Sequence, residues 1–441
     1  MKVEHWMTFA TFAEQDYFSY PKKDTYDGIV VNANMVAHAP DGLAAFLLEK
    51  TDGRPYIIDP VTHAFQHDPS AVKNSEGKVR KSIRTLSEKY GGAVSNHVGA
   101  RPVTADDFPT ATLREFVVNC LGFQRDALSV PMEGAPANKY LGQSAEQCQP
   151  QALVAPYFYL DEACFDQWLP VNIASAAIAV ENARNAQILA AVVLSKSVLN
   201  NPAALARVVE QYTALPVSGY LVWVDELDEH SAGSILLKQL RHLGLSLRAG
   251  GTRSVLSLHG GYFSILAGSD AGGGAFSGVA HGPEFGEVRA VVPVGGGIPI
   301  PRYYIPELHR RVKYREALQL FASEGWLEDA ASFHAAVCEC TECLATIAGN
   351  PKNFVKFGES TAVTVRRKSG FVRLDYPTPE AKEHCLKHYL QRKDREYKAA
   401  SSQSAAVLRD DLKSGHAKYK ALLGAEEVSH LEIWRRIFAG E

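Results

Sequence analysis

The chain has 441 residues, with 46 Lys and Arg against 49 Asp and Glu and a formal net charge of -3 at neutral pH. That balance excludes a global basic field, so composition carries no general affinity for nucleic acid. Hydrophobic residues at 46% and charged residues at 22% fit an ordinary globular protein, long enough for one large α/β barrel with an appendage or for two or three ordinary domains.

The opening residues, MKVEHWMTFATFAEQDYF, carry His5, Glu14 and Asp16 and lack the basic and uninterrupted apolar regions of a signal peptide. No apolar run reaches the roughly 18 residues of a membrane span. A cytoplasmic protein without a membrane partner is expected. Strand-like runs then follow: GIVVNAN (28–34), PYIIDP (55–60), LVAPYFYL (153–160), AAVVLSK (190–196), GYLVWVD (219–225), SVLSLH (254–259), AFSGVAHG (275–282) and RYYIPEL (302–308). Several are continuously apolar, as strands buried on both faces are. Amphipathic helical stretches such as 201–215 and 231–245 lie between them. This alternation predicts a (β/α)8 barrel, with a doubly wound open sheet as the alternative.

The gap at 61–152 is too long for one crossover and predicts a helical insertion, with TADDFPTATLREFVVNCLGF as one helix. After 315 the pattern changes to a helix, a cysteine cluster, a short β segment and helices to the end, among them PTPEAKEHCLKHYLQRKDREYKAA with Pro and Thr start signals. The expected organisation is a barrel over 1–315 and a metal-binding α+β subdomain over 316–441.

The cysteine cluster, VCECTEC, sets Cys338, Cys340 and Cys343 within six positions of a chain with only seven cysteines. Three thiols cannot pair off among themselves. The spacing suits thiolates converging on a tetrahedral zinc that takes a fourth ligand. His384 and His388 are candidates one helical turn apart, with His334 also near; His388 is preferred. Four protein ligands would make the zinc structural.

In a barrel the chemistry sits at the C-terminal strand ends. Several runs here end on polar residues. One ends at Asp59. Another ends at Asp225, followed by Glu226 and Asp228. A third ends at His259, before Gly260 and Gly261, and a fourth at His281, before Gly282, Glu284, Gly286 and Glu287. Two carboxylates in one pocket can divide the work of nucleophile and general acid or base, which suits chemistry at a glycosidic carbon. Glycines after a strand let a planar ring approach backbone N–H groups. Three locally basic runs, 302–315, 356–368 and 387–398, are candidates for tracking phosphates or are plain solvated surface.

Together these pieces resemble the tRNA-guanine transglycosylase superfamily: (β/α)8 barrels with a Cys-x-Cys-x2-Cys…His structural zinc that exchange guanine in a nucleic acid for a 7-deazaguanine. YIIDPVTHAFQ (56–66) resembles the family's strand ending in Asp-Ser-Gly-Gly-Phe-Gln, with Val-Thr-His-Ala in place of the glycines. The resemblance implies a catalytic Asp59 and a base-stacking Phe65 beside Gln66. YLVWVDE (220–226) resembles the strand whose aspartate reads the base. VLSLHGGYFSILA (255–267) resembles Gly-Ile-Val-Gln-Gly-Gly-x-Tyr, with His259 where glutamine is usual. SGVAHGPEFGE (277–287) resembles the Gly-Gly-Leu-Ala-Val-Gly-Glu loop that contacts the base.

The compact chain looks most like the DNA-modifying, DpdA-type branch, so DNA is the favoured partner and tRNA the alternative. Helper proteins or a homodimer are compatible with either. The implied carboxylate pair is Asp59 and Asp225, with Asp329, nine residues before Cys338, in reserve. The implied base site is Phe65, Gln66, His259, Gly260, Gly261, His281, Gly282 and Glu284, with Tyr262 and Phe285 as further stacking candidates. A catalytically inactive barrel serving as a nucleic-acid-binding or assembly module remains a rival reading.

Overall fold

The computed structural model describes residues 1–19, 25–134, 149–248, 251–284, 286–292, 300–367 and 370–441. Eight strands close a barrel in sequence order: β1 (Glu4–Phe9), β2 (Gly28–Asn32), β3 (Tyr56–Asp59), β4 (Ala152–Val154), β5 (Ile188–Leu194), β6 (Gly219–Val224), β7 (Ser254–Leu258) and β8 (Gly278–His281). Every neighbouring pair is parallel, including the closing pair, in which Glu4 to Met7 of β1 lie opposite Gly278 to His281 of β8. The expected (β/α)8 class is therefore the fold.

The strand set differs from expectation at its two ends. The first strand is EHWMTF, which the sequence reading passes over. RYYIPEL does not enter the barrel: Arg302–Ile305 (β9) pairs antiparallel with Arg310–Lys313 (β10). Tyr303, Tyr304 and Ile305 are buried as thoroughly as barrel residues. Apolar content reports burial, not which sheet is joined.

Side chains alternate across each strand. Trp6, Ile57, Leu221, Trp223, Leu258 and Ala280 belong to one buried cluster that fills the barrel. Two residues further on, the same parity carries Thr8, Asp59 and Asp225 to the C-terminal mouth. Gly28 leaves room for the Trp6 ring, whose atoms would lie 2.6 Å from an added Cβ.

The insertion between β3 and β4 is helical, with helices Lys81–Tyr90 and Thr110–Asp126. The expected single helix from Thr104 breaks at Pro109: a short 3-10 turn, Ala105–Asp107, precedes it, and Thr110 opens the α-helix.

The chain divides into two compact units, Met1–Val294 with Ala400–Ser402, and Gly295–Ala399 with Gln403–Glu441. The expected boundary at 315 thus moves to 294, because the β9–β10 hairpin belongs to the second unit. That unit also holds a second hairpin, β11 (Ser360–Arg367) with β12 (Gly370–Pro377), and the long helix Pro379–Ser402 as far as Ala399. The Thr378 side chain accepts the Ala381 N–H at the start of this helix, with Pro379 in its first turn, as the sequence signals.

Candidate active site and metal centre

A cavity of about 70 Å³ opens at the C-terminal barrel mouth, lined among others by Thr8, Asn34, Asp59, His63, His67, Arg80, Trp223, His259 and Arg289. Asp59 is buried within it. Its Oδ1 accepts the Tyr157 hydroxyl at 2.7 Å and the Val61 N–H at 3.1 Å. Burial raises the proton affinity of this carboxyl, opposed by the Tyr157 hydrogen bond, the Val61 N–H and the charge of Arg289. Val61 holds a φ of +55°, rare for a β-branched residue. The sharp turn it makes directs the chain back over the mouth where the resembled family has glycines.

Tyr157 and Tyr159 lie two residues apart in the segment that follows β4. Tyr159 donates its hydroxyl to Asp225 Oδ2 at 3.0 Å, as Tyr157 does to Asp59. Side chains from the loop after β3 hold this segment like a missing strand. The Tyr157 N–H donates to Thr62 Oγ1 at 2.8 Å, and the Thr62 hydroxyl donates to the Tyr157 carbonyl at 2.5 Å. Gln66 accepts the Tyr159 N–H at 2.8 Å and donates to its carbonyl at 2.9 Å. Gln66 thereby positions a phenol that reaches Asp225, a role the sequence does not reveal.

Asp225 is not among the cavity-lining residues. Its Oδ1 accepts the Val291 N–H at 2.7 Å, and Val291 itself lines the cavity. The neighbouring Arg289 carbonyl accepts the Glu226 N–H at 3.1 Å and the Trp223 indole N–H at 3.2 Å. The strap 289–291 therefore lines the cavity that holds Asp59 and is bonded to Asp225 and its neighbours. Its backbone offers a carbonyl and an N–H.

Three imidazoles crowd the same mouth. His63 stacks on Tyr157, with Nδ1 3.1 Å from its hydroxyl, and meets Trp223 edge-on at 5.3 Å. His259 also meets Trp223, at 5.0 Å. Burial holds His63 well below the usual imidazole range and pushes His259 down to about 3, helped by the charge of Arg289. Burial lowers His67 too, against the pull of Asp225. All three are neutral at neutral pH, so hydrogen bonding rather than charge is what they offer.

Several expected base-site residues stand elsewhere. Phe65 is buried edge-on against Tyr90 and does not line the cavity. Glu229 occupies the N–H groups of the His-Gly-Gly turn: its carboxylate accepts Gly261 N–H at 3.0 Å and Phe263 N–H at 2.9 Å, with the Ser264 hydroxyl on Oε1. The Gly260 N–H goes to the Ala280 carbonyl. These glycines serve helix entry, and an added Cβ on Gly261 would lie 2.7 Å from Glu229 Oε2.

Ala280 faces the barrel interior, so His281 points outward, its Nε2 lying 2.8 Å from His5 Nε2. Gly282 and Glu284 lie beyond the lining; Gly282 is so close to Gly286 that an added Cβ on Gly286 would fall 1.8 Å from the Gly282 nitrogen. Tyr262 is buried in its own helix, and Phe285 lies outside the described residues. Asp329 is an exposed N-cap in the second unit, accepting Ser332 N–H at 2.8 Å, not a barrel carboxylate.

The second unit brings Cys338, Cys340, Cys343 and His388 together as expected, their ligand atoms all within 4.8 Å of one another and all four residues buried. His388 Nδ1 lies 3.3 Å from both Cys340 and Cys343 Sγ, while Nε2–H donates to the Tyr304 carbonyl at 2.7 Å. That second hydrogen bond sets the tautomer that leaves Nδ1 free to ligate. The Cys340 and Cys343 N–H groups point at the preceding cysteine sulfurs at 3.4 Å, and Tyr303 stacks on His388 at 4.3 Å. His384 instead pairs with Glu342 at 2.6 Å, and His334 with the Cys338 carbonyl at 2.9 Å. The donor set fits a metal ion, and the preference for His388 follows from its place.

A comparison with protein-family models and with curated proteins finds no match for this chain.

Two of the basic runs are committed to the protein's own structure. In 387–398, Lys387 pairs with Glu383, Lys393 with Glu396 and Lys398 with Asp394. In 302–315, Arg310 pairs with Glu427 and Lys313 with Glu316, and Arg311 lies 3.5 Å over the Tyr389 ring. The side chains at the end of 356–368 lie outside the described residues. Arg80 and Arg289, which the sequence does not single out, line the cavity and form no ion pair among the described residues. No described helix is long and apolar enough to cross a membrane.

Proposed function

We propose that the barrel mouth exchanges a base in nucleic acid, releasing guanine and installing a 7-deazaguanine, with DNA as the favoured polymer. The observation that carries this reading is Asp59, a buried carboxyl of raised proton affinity in a strand-end cavity, beside Arg289, which forms no ion pair among the described residues. Such a carboxyl can hand a proton to a leaving base and take one from the entering base. Asp225, bonded to the 289–291 strap, is the second carboxylate.

In the first half-reaction the bond from C1′ to guanine breaks, an Asp225 oxygen bonds C1′, and Asp59 protonates the leaving base. In the second, the 7-deazaguanine nitrogen bonds C1′, the ester bond breaks, and the nitrogen's proton returns to Asp59. Asp225 reaches C1′ only once Val291 releases it. The nucleotide must also leave its stack, at a cost of a few kcal/mol for a duplex. Arg80 and Arg289 supply rim charge for the flanking phosphates. The strap's carbonyl marks a place for a base carbonyl: the Glu226 and Trp223 N–H groups, which donate to the Arg289 carbonyl, can donate to it instead.

The Cys3His group is read as a structural zinc site, because all four positions come from the protein and none is left for a substrate.

Labelled guanine incubated with duplex DNA or with tRNA tests the reaction. Incorporation into DNA is expected, falling by about 10²–10⁴ in Asp59→Asn. Undiminished exchange in that variant sinks the assignment, and incorporation into tRNA alone moves the substrate to RNA. Incorporation into neither favours the inactive module.

A further inference from the structure

Buried polar atoms in proteins almost always find partners. At the barrel mouth four find none among the described residues: Thr8 Oγ1, Asn34 Oδ1, His67 Nε2 and His259 Nδ1 are each shielded from solvent without a hydrogen-bond partner there, and all four residues line the cavity that holds Asp59. Thr8 is only 6% exposed. They come from β1, from the segments after β2 and β3, and from the end of β7, so no single local distortion explains them. The sheet parity that brings Asp59 inward brings Thr8 inward as well.

Their chemistry is specific. Asn34 Oδ1 is an acceptor. The Gly286 carbonyl takes the other ring N–H of His259, so Nδ1 presents a lone pair. Thr8 and His67 can each give or accept. None of the four carries charge at neutral pH. Trp223 and His63 supply flat apolar walls.

We propose that Thr8, Asn34, His67 and His259 are the ligand-reading residues of this cavity, and that they take the N–H and ring-nitrogen groups of a neutral heterocyclic base. This deepens the base-exchange reading and rests on it for the choice of probe. Leaving such atoms unpaired costs stability in the free protein, as sites built for a ligand do.

The test uses the full-length, metal-loaded protein. Thr8→Val and Asn34→Leu keep shape and remove the unpaired atoms. Thr62→Val removes a hydroxyl that is fully bonded and serves as the opposite control. Thermal unfolding is followed without ligand and with guanine or 7-deazaguanine. Thr8→Val is expected to raise the ligand-free midpoint by about 2–4 °C, and Thr62→Val to lower it. The affinity for both bases is expected to fall about tenfold in Thr8→Val and in Asn34→Leu, the loss of one hydrogen bond each.

Wild-type affinity in both variants, with exchange still dependent on Asp59, overturns this inference and leaves the base-exchange reading standing. No binding of either base to the wild-type protein overturns both.

Discussion

Asp59 and His259 face one cavity, yet their titrations pull stability in opposite directions. Asp59 holds its proton in the folded state after the unfolded chain has released it. Its contribution is therefore complete below about pH 3.8 and is lost as pH rises through the folded value. At neutral pH its ionisation costs stability, so Asp59→Asn is expected to raise the urea midpoint at pH 7 while exchange collapses. A lowered midpoint would contradict the burial argument.

His259 runs the other way. Its folded value near 3 lies below the usual 6.5, so its contribution is complete above pH 6.5 and drains away as pH falls toward 3. His63 and His67 shift in the same direction. For His259 the loss is expected to run at about 1.4 kcal/mol per pH unit between about pH 6 and its folded value. In His259→Asn, whose asparagine tolerates the +55° φ, the urea-monitored slope between pH 6 and 5 loses about one proton. An unchanged slope would show that His259 is not the group concerned. Asp59, Asp225 and His259 were legible as polar residues closing apolar runs. Thr8, Asn34, Tyr157 and Arg289 were not, because a threonine inside a strand or an arginine in a loop looks ordinary until the barrel closes around it.

At the scale of elements, side chains stand in for backbone. Thr62 and Gln66 pair with the segment after the three-residue β4, and Glu229 satisfies the entry of helix Tyr262–Gly268. Glu229→Ala leaves several buried N–H groups unpaired, and denaturant unfolding is expected to show a loss of about 3 kcal/mol or more. In the sequence the His-Gly-Gly turn reads as a ligand site, because glycine looks the same beside a base and beside a buried glutamate.

The Cys3His group that could hold a metal ion is the feature most legible in the sequence: three cysteines at ligand spacing, then a histidine on a capped helix. Zinc content is expected near one per chain, lost in Cys340→Ser and kept in His384→Ala, whose histidine belongs to Glu342. A chelator that strips the ion is expected to melt the second unit's helices, read by circular dichroism. Full zinc in Cys340→Ser would remove that cysteine from the ligand set.

For the whole molecule, barrel class and the helical insertion followed from continuous apolar runs. The strand count came out right with one wrong member. β1 carries Glu4, His5 and Thr8 and reads as mixed, while β9 follows its arginine with Tyr303, Tyr304 and Ile305, all buried. Periodicity measures how much of a strand is covered and is silent on what covers it.

The seam between β1 and β8 bears on how the chain reaches this form. Glu4 pairs with Gly278, and His5 meets His281. The first strand thus cannot be closed over until nearly all of the barrel has left the ribosome. Until then β1 presents an open edge, the kind that invites pairing with another chain. Contacts this distant in sequence also make closure slow. A chaperone that shields the nascent edge of β1 is therefore expected to raise the yield of folded protein, read as the soluble fraction with and without it.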